Sequence, residues 1–435
     1  MNLQIEGARI DRLLMLGWGL TGRAVLEHAR SRGVACSVSD SRPLEPSERE
    51  MLAARGVAYE EGGHTSRFLC DADAIVLSPG IRMDLPLLAD ANERRIPIFS
   101  ELDVAWAAVR STPIIAVTGT NGKSSVVTLI GALLHGHGLR PMVVGNIGVP
   151  FVGEIEAAES VDLFVVEASS FQLEQSAIFR PDVGVLLNLA PDHLERHGTV
   201  ASYAAAKGRL FRRQGPDDTA VMPEDLAAQF TQGSAQRVTY HRVPLPANAG
   251  RLPPHQRANL QAAIAACKAF DPSFDPSSVP VDRVLDAVRL PYRMADVGIV
   301  DGVRVIDDSK ATNPHAAIAA LAAIDGPIVL MLGGRHKGFG YDALRDAVNA
   351  SRVRSIVLFG EAGARLSREL QGADAGMAEA AGLAEAVSIA LSSAHPGDVL
   401  LFSPACSSYD AYRSFEERGA AFDRLIQSQS GFEPG

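Results

Sequence analysis

The chain has 435 residues, 47% of them hydrophobic and 21% charged, so it is long enough for about three domains with ordinary apolar cores. A net charge of −10, from 41 basic and 51 acidic residues, argues against binding to nucleic acid through a general positive field. The four scattered cysteines form no C-x-x-C pair, which argues against a zinc site or a disulfide framework, and no apolar run reaches the ~20 residues of a membrane helix.

The N-terminal segment predicts a β-α-β unit. Its first residues are polar and unlike a signal peptide, so we expect a cytoplasmic protein. Leu13–Leu16 is followed by the glycine pattern of Gly17, Gly19 and Gly22, and a second strand ends at Asp40. A glycine turn and an acid in these places are typical of a Rossmann-like domain, here residues 1–101. By itself the pattern also fits a dinucleotide-dependent oxidoreductase.

The run Thr118–Ser125 predicts a phosphate-binding loop. It lies between an apolar β-branched run and a stretch of helical character, and it contains the order Gly119, Gly122, Lys123, Ser124. Glycines let backbone N–H groups surround a phosphate, lysine adds a charge, and serine can reach a magnesium ion. The spacing G-x-x-G-K-S is shorter than the general nucleotide loop, which argues against an ordinary GTPase or motor ATPase. A turn with a surface lysine, or a P-loop regulator without enzymatic activity, is the alternative.

The rest of the central segment, residues 102–290, predicts a mostly parallel sheet with polar residues at strand ends. Glu167 ends the apolar run Leu163–Glu167 and is expected to bind magnesium, the alternative being a turn or capping carboxylate. His193 follows the next strand and gains a metal role only from these neighbours, whereas His197 is expected to be solvated. Lys207 lies on a predicted helix, where spacing alone indicates a solvated surface residue.

The third segment, residues 291–435, predicts another α/β domain with three polar loops. The loops follow apolar strands and contain small, hydroxyl and cationic residues: Asp308–Asn313, Gly333–Gly338 and Ser403–Ser408. Because the ends of parallel strands converge, these loops predict a pocket for an anionic small substrate. Cys406 in the third loop is expected to be a buried small residue rather than a nucleophile. Ser428–Gly435 is expected to be a frayed tail.

These motifs together resemble the Mur ligase family, nearly from end to end. The resemblance rests on ten ordered stretches: LGWGLTGRAV, SPGI, GTNGKSS, GNIG, EASSFQLE, LNLAPDHLERHG, YAAAKGRLF, DDSKATN, LGGRHKG and FSPACSSYDAYRSFEERG. DSKATN and SPACSS point to the branch that adds D-glutamate. The resemblance implies three α/β domains: an N-terminal Rossmann-like domain, a central P-loop ATPase-like domain and a C-terminal Rossmann-like domain.

The resemblance also implies an activity: ATP-dependent addition of D-glutamate to UDP-N-acetylmuramoyl-L-alanine through an acyl phosphate, in peptidoglycan precursor synthesis. L-glutamate or another amino acid stays open, because a cationic site attracts the carboxylates of either enantiomer. Two magnesium ions, a monomeric state and no nucleic-acid partner are expected.

Residue roles follow from the same resemblance. The predicted ATP-binding residues are Gly119, Thr120, Asn121, Gly122, Lys123, Ser124, Ser125, Asn259, Arg293, Asp308 and Lys310. The predicted metal ligands are Ser124, Glu167, His193 and Lys207, the last as a CO₂-derived carbamate, which overturns its surface interpretation. Lys123, Glu167, His193 and Lys207 form the predicted catalytic set.

The two remaining substrates have their own predicted residues. Those for the UDP-sugar are Leu20, Thr21, Asp40, Ser41, Arg42 and Asn146, and those for the amino acid are Thr312, Lys337, Ser408 and Phe415. The chain departs from the family pattern at Tyr292, where histidine is usual, and at Ala295 and Gln256.

Overall fold

The computed structural model describes residues 3–246, 249–250, 252, 254–279 and 290–435. The described residues fall into two compact units. The first takes those of Met1–Leu189 and Ala201–Ala287, and the second takes those of Ala190–Val200 and Val288–Gly435. The segment Ala190–Val200 contains His193, so this predicted metal ligand belongs to the second unit.

The first unit opens with a short antiparallel hairpin and a five-stranded parallel sheet of order β5-β4-β3-β6-β7. Its elements are β1 (Leu3–Ile5), β2 (Ala8–Ile10), β3 (Arg12–Leu16), α1 (Leu20–Ser31), β4 (Ala35–Asp40), α2 (Pro46–Ala54), β5 (Ala58–Glu61), β6 (Ala74–Leu77), α3 (Pro86–Glu93), β7 (Ile98–Ser100) and α4 (Glu101–Ala108). The central strands are apolar and buried, as parallel strands covered on both faces must be. The predicted β-α-β unit is therefore confirmed.

A six-stranded parallel sheet of order β13-β12-β11-β8-β10-β9 completes the first unit. Its elements are β8 (Ile114–Thr118), α5 (Lys123–Gly136), β9 (Pro141–Gly145), β10 (Leu163–Glu167), α6 (Ser170–Gln175), β11 (Val183–Leu186), α8 (Val200–Gly208), β12 (Thr219–Met222), β13 (Gln236–Thr239) and α9 (Pro254–Phe270). The short helix α7 (Leu194–His197) precedes α8 and lies in the second unit. Strand β8 pairs with β10 on one side and β11 on the other, so the loop after β8 lies between the ends of its two neighbours.

The second unit is built on a seven-stranded mixed sheet of order β18-β17-β16-β19-β15-β14-β20. Its elements are β14 (Ala295–Val300), β15 (Val303–Asp307), α10 (Pro314–Leu321), β16 (Ile328–Gly333), α11 (Asp342–Ala350), β17 (Val353–Phe359), α12 (Gly363–Glu369), β18 (Gly376–Ala380), α13 (Leu383–Ser393), β19 (Val399–Ala405), α14 (Phe415–Gln427) and β20 (Phe432–Pro434). Strand β19 pairs in parallel with both β15 and β16, so the three predicted polar loops leave adjacent strands at one edge.

The C-terminal tail differs from its prediction. Phe432 pairs with Val300 in the antiparallel ladder between β20 and β14, so the tail adds a strand to the sheet edge instead of fraying. The aromatic ring of Phe432 packs on the apolar cluster around Phe402 and Phe422, and this burial offsets the entropy cost of ordering a terminal segment.

The α/β class and the three-domain fold are confirmed, while the boundaries at 101/102 and 290/291 stay predictions. Helix α4 begins at the first of these boundaries and is hydrogen-bonded to the segment between α6 and β11 of the central sheet. The buried Asp103 carboxylate accepts the N–H groups of Ala177, Ile178 and Phe179 at 2.8, 2.9 and 2.9 Å. Within the described residues, no helix has the length and apolar character needed to cross a membrane.

Candidate active site

The phosphate loop is fixed by the end of the neighbouring strand β11. Asn188 accepts from the Asn121 N–H through Oδ1 at 2.9 Å, donates through Nδ2 to the Asn121 carbonyl at 3.0 Å, and accepts from the Thr120 N–H through its own carbonyl at 3.1 Å. Gly122 has φ +86°, and a Cβ there would lie 2.6 Å from Asn259 Oδ1. The loop thus requires glycine, and its backbone N–H groups are held at the start of α5, an arrangement suited to an anion. Asn188 is a loop-holding residue that the sequence interpretation did not assign.

Two lysines meet at one carbonyl of this loop. Lys123 Nζ donates to the Gly119 carbonyl at 3.0 Å, and Lys207 Nζ donates to the same oxygen at 2.8 Å. Lys207 is 1% exposed, and its Nζ also lies 4.5 Å from the ring centroid of Tyr203. The solvated-surface interpretation of Lys207 from spacing alone is therefore wrong, because the side of α8 that carries this residue packs on the phosphate loop.

Glu167 brings a buried carboxylate to the adjacent strand end. Its Oε1 accepts from Asn146 Nδ2 at 3.0 Å, whereas its Oε2 is buried and has no hydrogen-bond partner among the described residues. An unsatisfied buried carboxylate oxygen is costly unless something else binds it. Oxygen ligands are those that Mg²⁺ prefers, and Mg²⁺ typically takes only one or two protein carboxylates beside substrate phosphates. The unsatisfied oxygen of Glu167 therefore fits a magnesium ion at a bound triphosphate.

No group of three or more His, Cys, Asp and Glu side chains able to hold a metal occurs in the described part of the chain.

The glycine turn of the first sheet borders a cavity of about 590 Å³. The cavity is lined by Gly17, Trp18, Gly19, Leu20, Thr21, Arg23, Asp40, Ser41, Arg42, Ser78, Pro79, Gly80 and Ile81. Five of the six residues predicted for the UDP-sugar are in this set. The sixth, Asn146, contacts Glu167 instead.

Asp40 holds two backbone segments of the cavity wall together. Its two carboxylate oxygens accept the backbone N–H groups of Trp18 at 2.5 Å and of Arg42 at 2.8 Å. The Arg42 guanidinium donates to both oxygens of Glu48 at 2.8 Å, and this hydrogen-bonded pairing lowers the pKa of Glu48 to about 2. Leu20 is 76% exposed at the cavity and offers an apolar surface there. The cavity therefore has an ordered, partly cationic wall and one apolar contact.

In the second unit, Asp308 is buried at the start of the first polar loop. It accepts from Ser403 Oγ at 2.8 Å and from the Met294 N–H at 3.2 Å. Burial raises the pKa of Asp308 to about 6, and the nearby Arg293 charge opposes that rise. Lys310 Nζ lies 4.9 Å from the ring centroid of Phe415, so the structure brings these two predicted residues together.

Lys337 and Thr312, both predicted for the amino acid, are in contact. Lys337 Nζ lies 3.3 Å from Thr312 Oγ1 and 3.4 Å from Asp192 Oδ1, and Asn313 Nδ2 donates to Asp192 Oδ2 at 3.1 Å. Asp192 thus orients the ammonium of Lys337 across a long sequence separation. Nothing in the local sequence around Asp192 indicates this partner.

His193 has φ +51°, and its Nδ1 lies 3.4 Å from Glu195 Oε1. Burial lowers the pKa of His193, which favours the neutral imidazole that metals bind. His197 is 7% exposed at the end of the short helix α7, so the expectation that it is solvated is wrong.

Arg418 connects the three polar loops and was missed by the sequence interpretation. It is fully buried on α14 and donates to the carbonyls of Ser309 at 2.8 Å and Cys406 at 3.0 Å. A third contact reaches the Gly333 carbonyl at 3.4 Å. Since helical arginines are mostly solvated, spacing gave no signal for this role. Ser408, predicted for the amino acid, is also buried in the third loop.

Cys406 is buried, as expected, and its Sγ lies 3.0 Å from the Tyr341 hydroxyl. Burial raises the pKa of the Cys406 thiol to about 11, so the thiolate needed by a nucleophile is disfavoured.

Three family models match the chain in order. Residues 11–100 match the MurD-like N-terminal domain of Mur ligases, residues 117–269 the Mur ligase middle domain, and residues 292–406 the Mur ligase glutamate ligase domain. Relatives named UDP-N-acetylmuramoylalanine–D-glutamate ligase come from Pelotomaculum thermopropionicum and Desulfotalea psychrophila. Each is 38% identical; the first covers 96% of this chain and 97% of its own, and the second 95% of each.

Solved structures of related ligases share the fold. The MurF ligase of Thermotoga maritima, in complex with ADP, aligns with a TM-score of 0.57 at 15% identity over 96% of this chain and 95% of its own. The UDP-N-acetylmuramate–alanine ligase MurC of the same organism aligns with a TM-score of 0.55 at 19% identity over 97% and 100%. Together with the residue matches above, these findings show that the chain belongs to the Mur ligase family, in its MurD branch.

Proposed function

We propose that this chain is an ATP-dependent, ADP-forming amide ligase that joins D-glutamate to UDP-N-acetylmuramoyl-L-alanine in peptidoglycan precursor synthesis. The observation that carries the proposal is the pairing of a glycine phosphate loop bearing Lys123 with the buried, unsatisfied carboxylate oxygen of Glu167. Two relatives named UDP-N-acetylmuramoylalanine–D-glutamate ligase are similar to this chain over nearly their whole length, and they support the identity of the two substrates.

The first chemical step activates a carboxylate. A free carboxylate is a poor electrophile, so its oxygen attacks the γ-phosphorus of ATP, ADP leaves and an acyl phosphate forms. The loop N–H groups and Lys123 orient the triphosphate and offset negative charge on the transferred group. A bound magnesium ion would offset the negative charge that develops on the transferred phosphate. Glu167 and Ser124 would hold that ion, and His193 would serve a second ion.

The second step forms the amide. The neutral amine of glutamate attacks the acyl phosphate carbon and a tetrahedral intermediate forms. Inorganic phosphate then leaves with the C–O electron pair, and the proton lost from nitrogen ends on the phosphate. Lys337 is a point charge for a glutamate carboxylate, and Asp192 and Thr312 hold its ammonium in place. Lys310 and Phe415 form a second contact area for the substrates in the second unit.

Lys207 is proposed to act as a carbamate. A lysine cation repels a divalent ion, whereas a carbamate is an oxygen-bearing anion suited to a hard cation. The Lys207 side chain reaches the Gly119 carbonyl of the phosphate loop and is shielded from solvent. Its carbamate oxygens would therefore arise beside the phosphates.

A cytoplasmic location and a monomeric state complete the proposal. The test is phosphate release from ATP with UDP-N-acetylmuramoyl-L-alanine and a panel of D- and L-amino acids. We expect release to depend on D-glutamate and to yield one amide product. Release that proceeds equally with L-glutamate, or with no amino acid, would contradict the proposed substrate.

A further inference from the structure

A glutamine on the helix after Glu167 reaches into the wall of the cavity beside the first glycine turn. Gln175 is the last residue of α6 and is 2% exposed. Its Nε2 donates to the carbonyls of Ser78 at 3.0 Å and Ile81 at 2.8 Å, and lies 3.5 Å from the Pro79 carbonyl. Ser78–Ile81 is the loop that closes one side of the 590 Å³ cavity. Gln175 therefore joins the strand-end segment that carries Glu167 to the wall of a different site.

The loop that Gln175 holds approaches the glycine turn closely. Ser78 Oγ donates to the Gly17 carbonyl at 2.7 Å, and a Cβ built on Gly17 would lie 2.8 Å from Ser78 Cβ. The cavity thus tolerates little movement of this loop before the turn that carries Leu20 and Thr21 is displaced. The buried amide of Gln175 supports that position, because its NH₂ group donates to two carbonyls of the loop at once and its loss would weaken the hydrogen bonding of both.

The local sequence of α6 explains how the side chain is aimed. A capping box starts the helix, with Ser169 and Gln172 exchanging hydrogen bonds at 3.0 and 3.2 Å. The backbone of α6 is therefore fixed at its first residue, directly after the strand that ends at Glu167. The other amide atom, Gln175 Oε1, is buried without a hydrogen-bond partner among the described residues. Within the described part of the chain, the amide of Gln175 is therefore oriented by its NH₂ contacts with the loop alone.

We propose that Gln175 is a positioning residue for the UDP-sugar site: it fixes the Ser78–Ile81 loop in the arrangement that binds the nucleotide end of the substrate. The inference rests on the proposed function, since it takes the cavity to be the UDP site. Gln175 acts through the loop and contacts no reacting atom, so its loss weakens binding of the UDP-sugar and leaves the chemical steps unchanged.

Gln214 offers a matched control in the same unit. It is also buried, its Nε2 also donates to two backbone carbonyls, those of Pro181 at 3.0 Å and Thr219 at 3.1 Å, and its Oε1 is also unpaired among the described residues. Its place is different, because Pro181 and Thr219 border the strands β11 and β12 and do not line the cavity. Replacing each glutamine by methionine removes the same hydrogen bonds at nearly constant volume.

The experiment measures the dissociation constant of UDP by calorimetry and steady-state kinetics for the full chain. For Gln175→Met we expect UDP binding to weaken about tenfold, the loss of one to two net hydrogen bonds. The KM for the UDP-sugar should rise by a similar factor, with kcat and the KM for ATP unchanged within about twofold. Gln214→Met should lose comparable thermal stability and keep its UDP affinity.

Two results would overturn the inference: unchanged UDP binding in Gln175→Met, or equal weakening in both variants. If Gln175→Met does not fold, Gln175→Asn keeps the amide but withdraws it by one methylene, and the same loss of UDP affinity is expected. Wild-type protein that binds UDP without ligase turnover would refute the proposed function and leave this inference testable. Wild-type protein that does not bind UDP would refute the inference, whatever its turnover.

Discussion

The phosphate loop of the first unit and the three polar loops of the second unit are organised differently. The phosphate loop uses consecutive residues whose glycines set its backbone conformation, and one distant side chain, Asn188, holds it in place. The polar loops of the second unit depend on side chains of different segments, which Arg418 and Asp192 hold from other parts of the chain. A site built from the backbone of consecutive residues can be predicted from the local sequence. A site built from side chains on several loops depends on buried residues in other segments.

The largest effect is expected at Lys207, a buried side chain from helix α8 that contacts the phosphate loop. Lys207→Ala should lower kcat at least about a thousandfold, since it removes the proposed metal-holding carbamate beside the transferred phosphate. Lys207→Arg keeps a positive charge but cannot form the carbamate, so we expect the same loss. Bicarbonate should stimulate only the wild-type enzyme, and ¹³C-labelled bicarbonate should give a carbamate resonance that both variants lack. Substantial activity in Lys207→Arg would contradict the carbamate.

The local organisation of the phosphate loop predicts a strong effect of one methyl group. Gly122→Ala should lower kcat/KM for ATP about a hundredfold, because a Cβ there meets Asn259 Oδ1 and the φ of +86° disfavours alanine. The matched control is Gly136→Ala on the same helix, where a Cβ meets nothing within 4 Å. This control should be as active as wild type. Equal ATP kinetics in the two variants would show that the loop does not need this geometry.

The distant support of the second unit predicts an effect on amino-acid use. Arg418→Met should raise the KM for D-glutamate about tenfold or more, because the loops that carry Lys337 and Ser408 lose a common donor. Arg424→Met on the same helix is the control, since Arg424 is exposed. The KM for the UDP-sugar should change little in either variant. If that KM rises as much as the glutamate KM, Arg418 supports the whole fold rather than the loops.

The smallest effect concerns stability and the helix that joins the first two sheets. Burial raises the pKa of Glu101 to about 7, above the ~4.3 of an unfolded glutamate, although the Val152 N–H and Gln172 favour its charged form. The folded state therefore binds the proton more tightly, so this group favours folding most below the unfolded pKa, and its contribution falls as pH rises to about 7. Between pH 5.5 and 8 the loss is about 2 kcal/mol.

Glu101→Gln removes this titration. Its free energy of unfolding in urea should change less between pH 5.5 and 8 than that of wild type, by about 2 kcal/mol. Parallel pH profiles of the two proteins would show that the carboxyl does not titrate in this range.

Sequence reasoning served the first unit better because its signals are local. The strand ending at Glu167 and the glycine loop were predicted with their residues, since apolar runs and glycine spacing record burial and backbone conformation directly. The errors arose at His197 and Lys207, two polar residues that the fold buries, and at the tail, which pairs with strand β14. Residue type predicts that such positions are exposed, and spacing along the chain does not reveal the contacts that bury them.

The sequence by itself determined the α/β class, the parallel strands, the phosphate loop and the placement of polar residues at strand ends, because these follow from periodicity, glycine and chain direction. Only the tertiary structure decided which polar residues are buried and which partners they have: Asn188 on the phosphate loop, Asp192 on Lys337, Arg418 on three carbonyls and Gln175 on the cavity wall. The physical reason is that a buried donor or acceptor must be satisfied in space, and its partner can come from any distance along the chain.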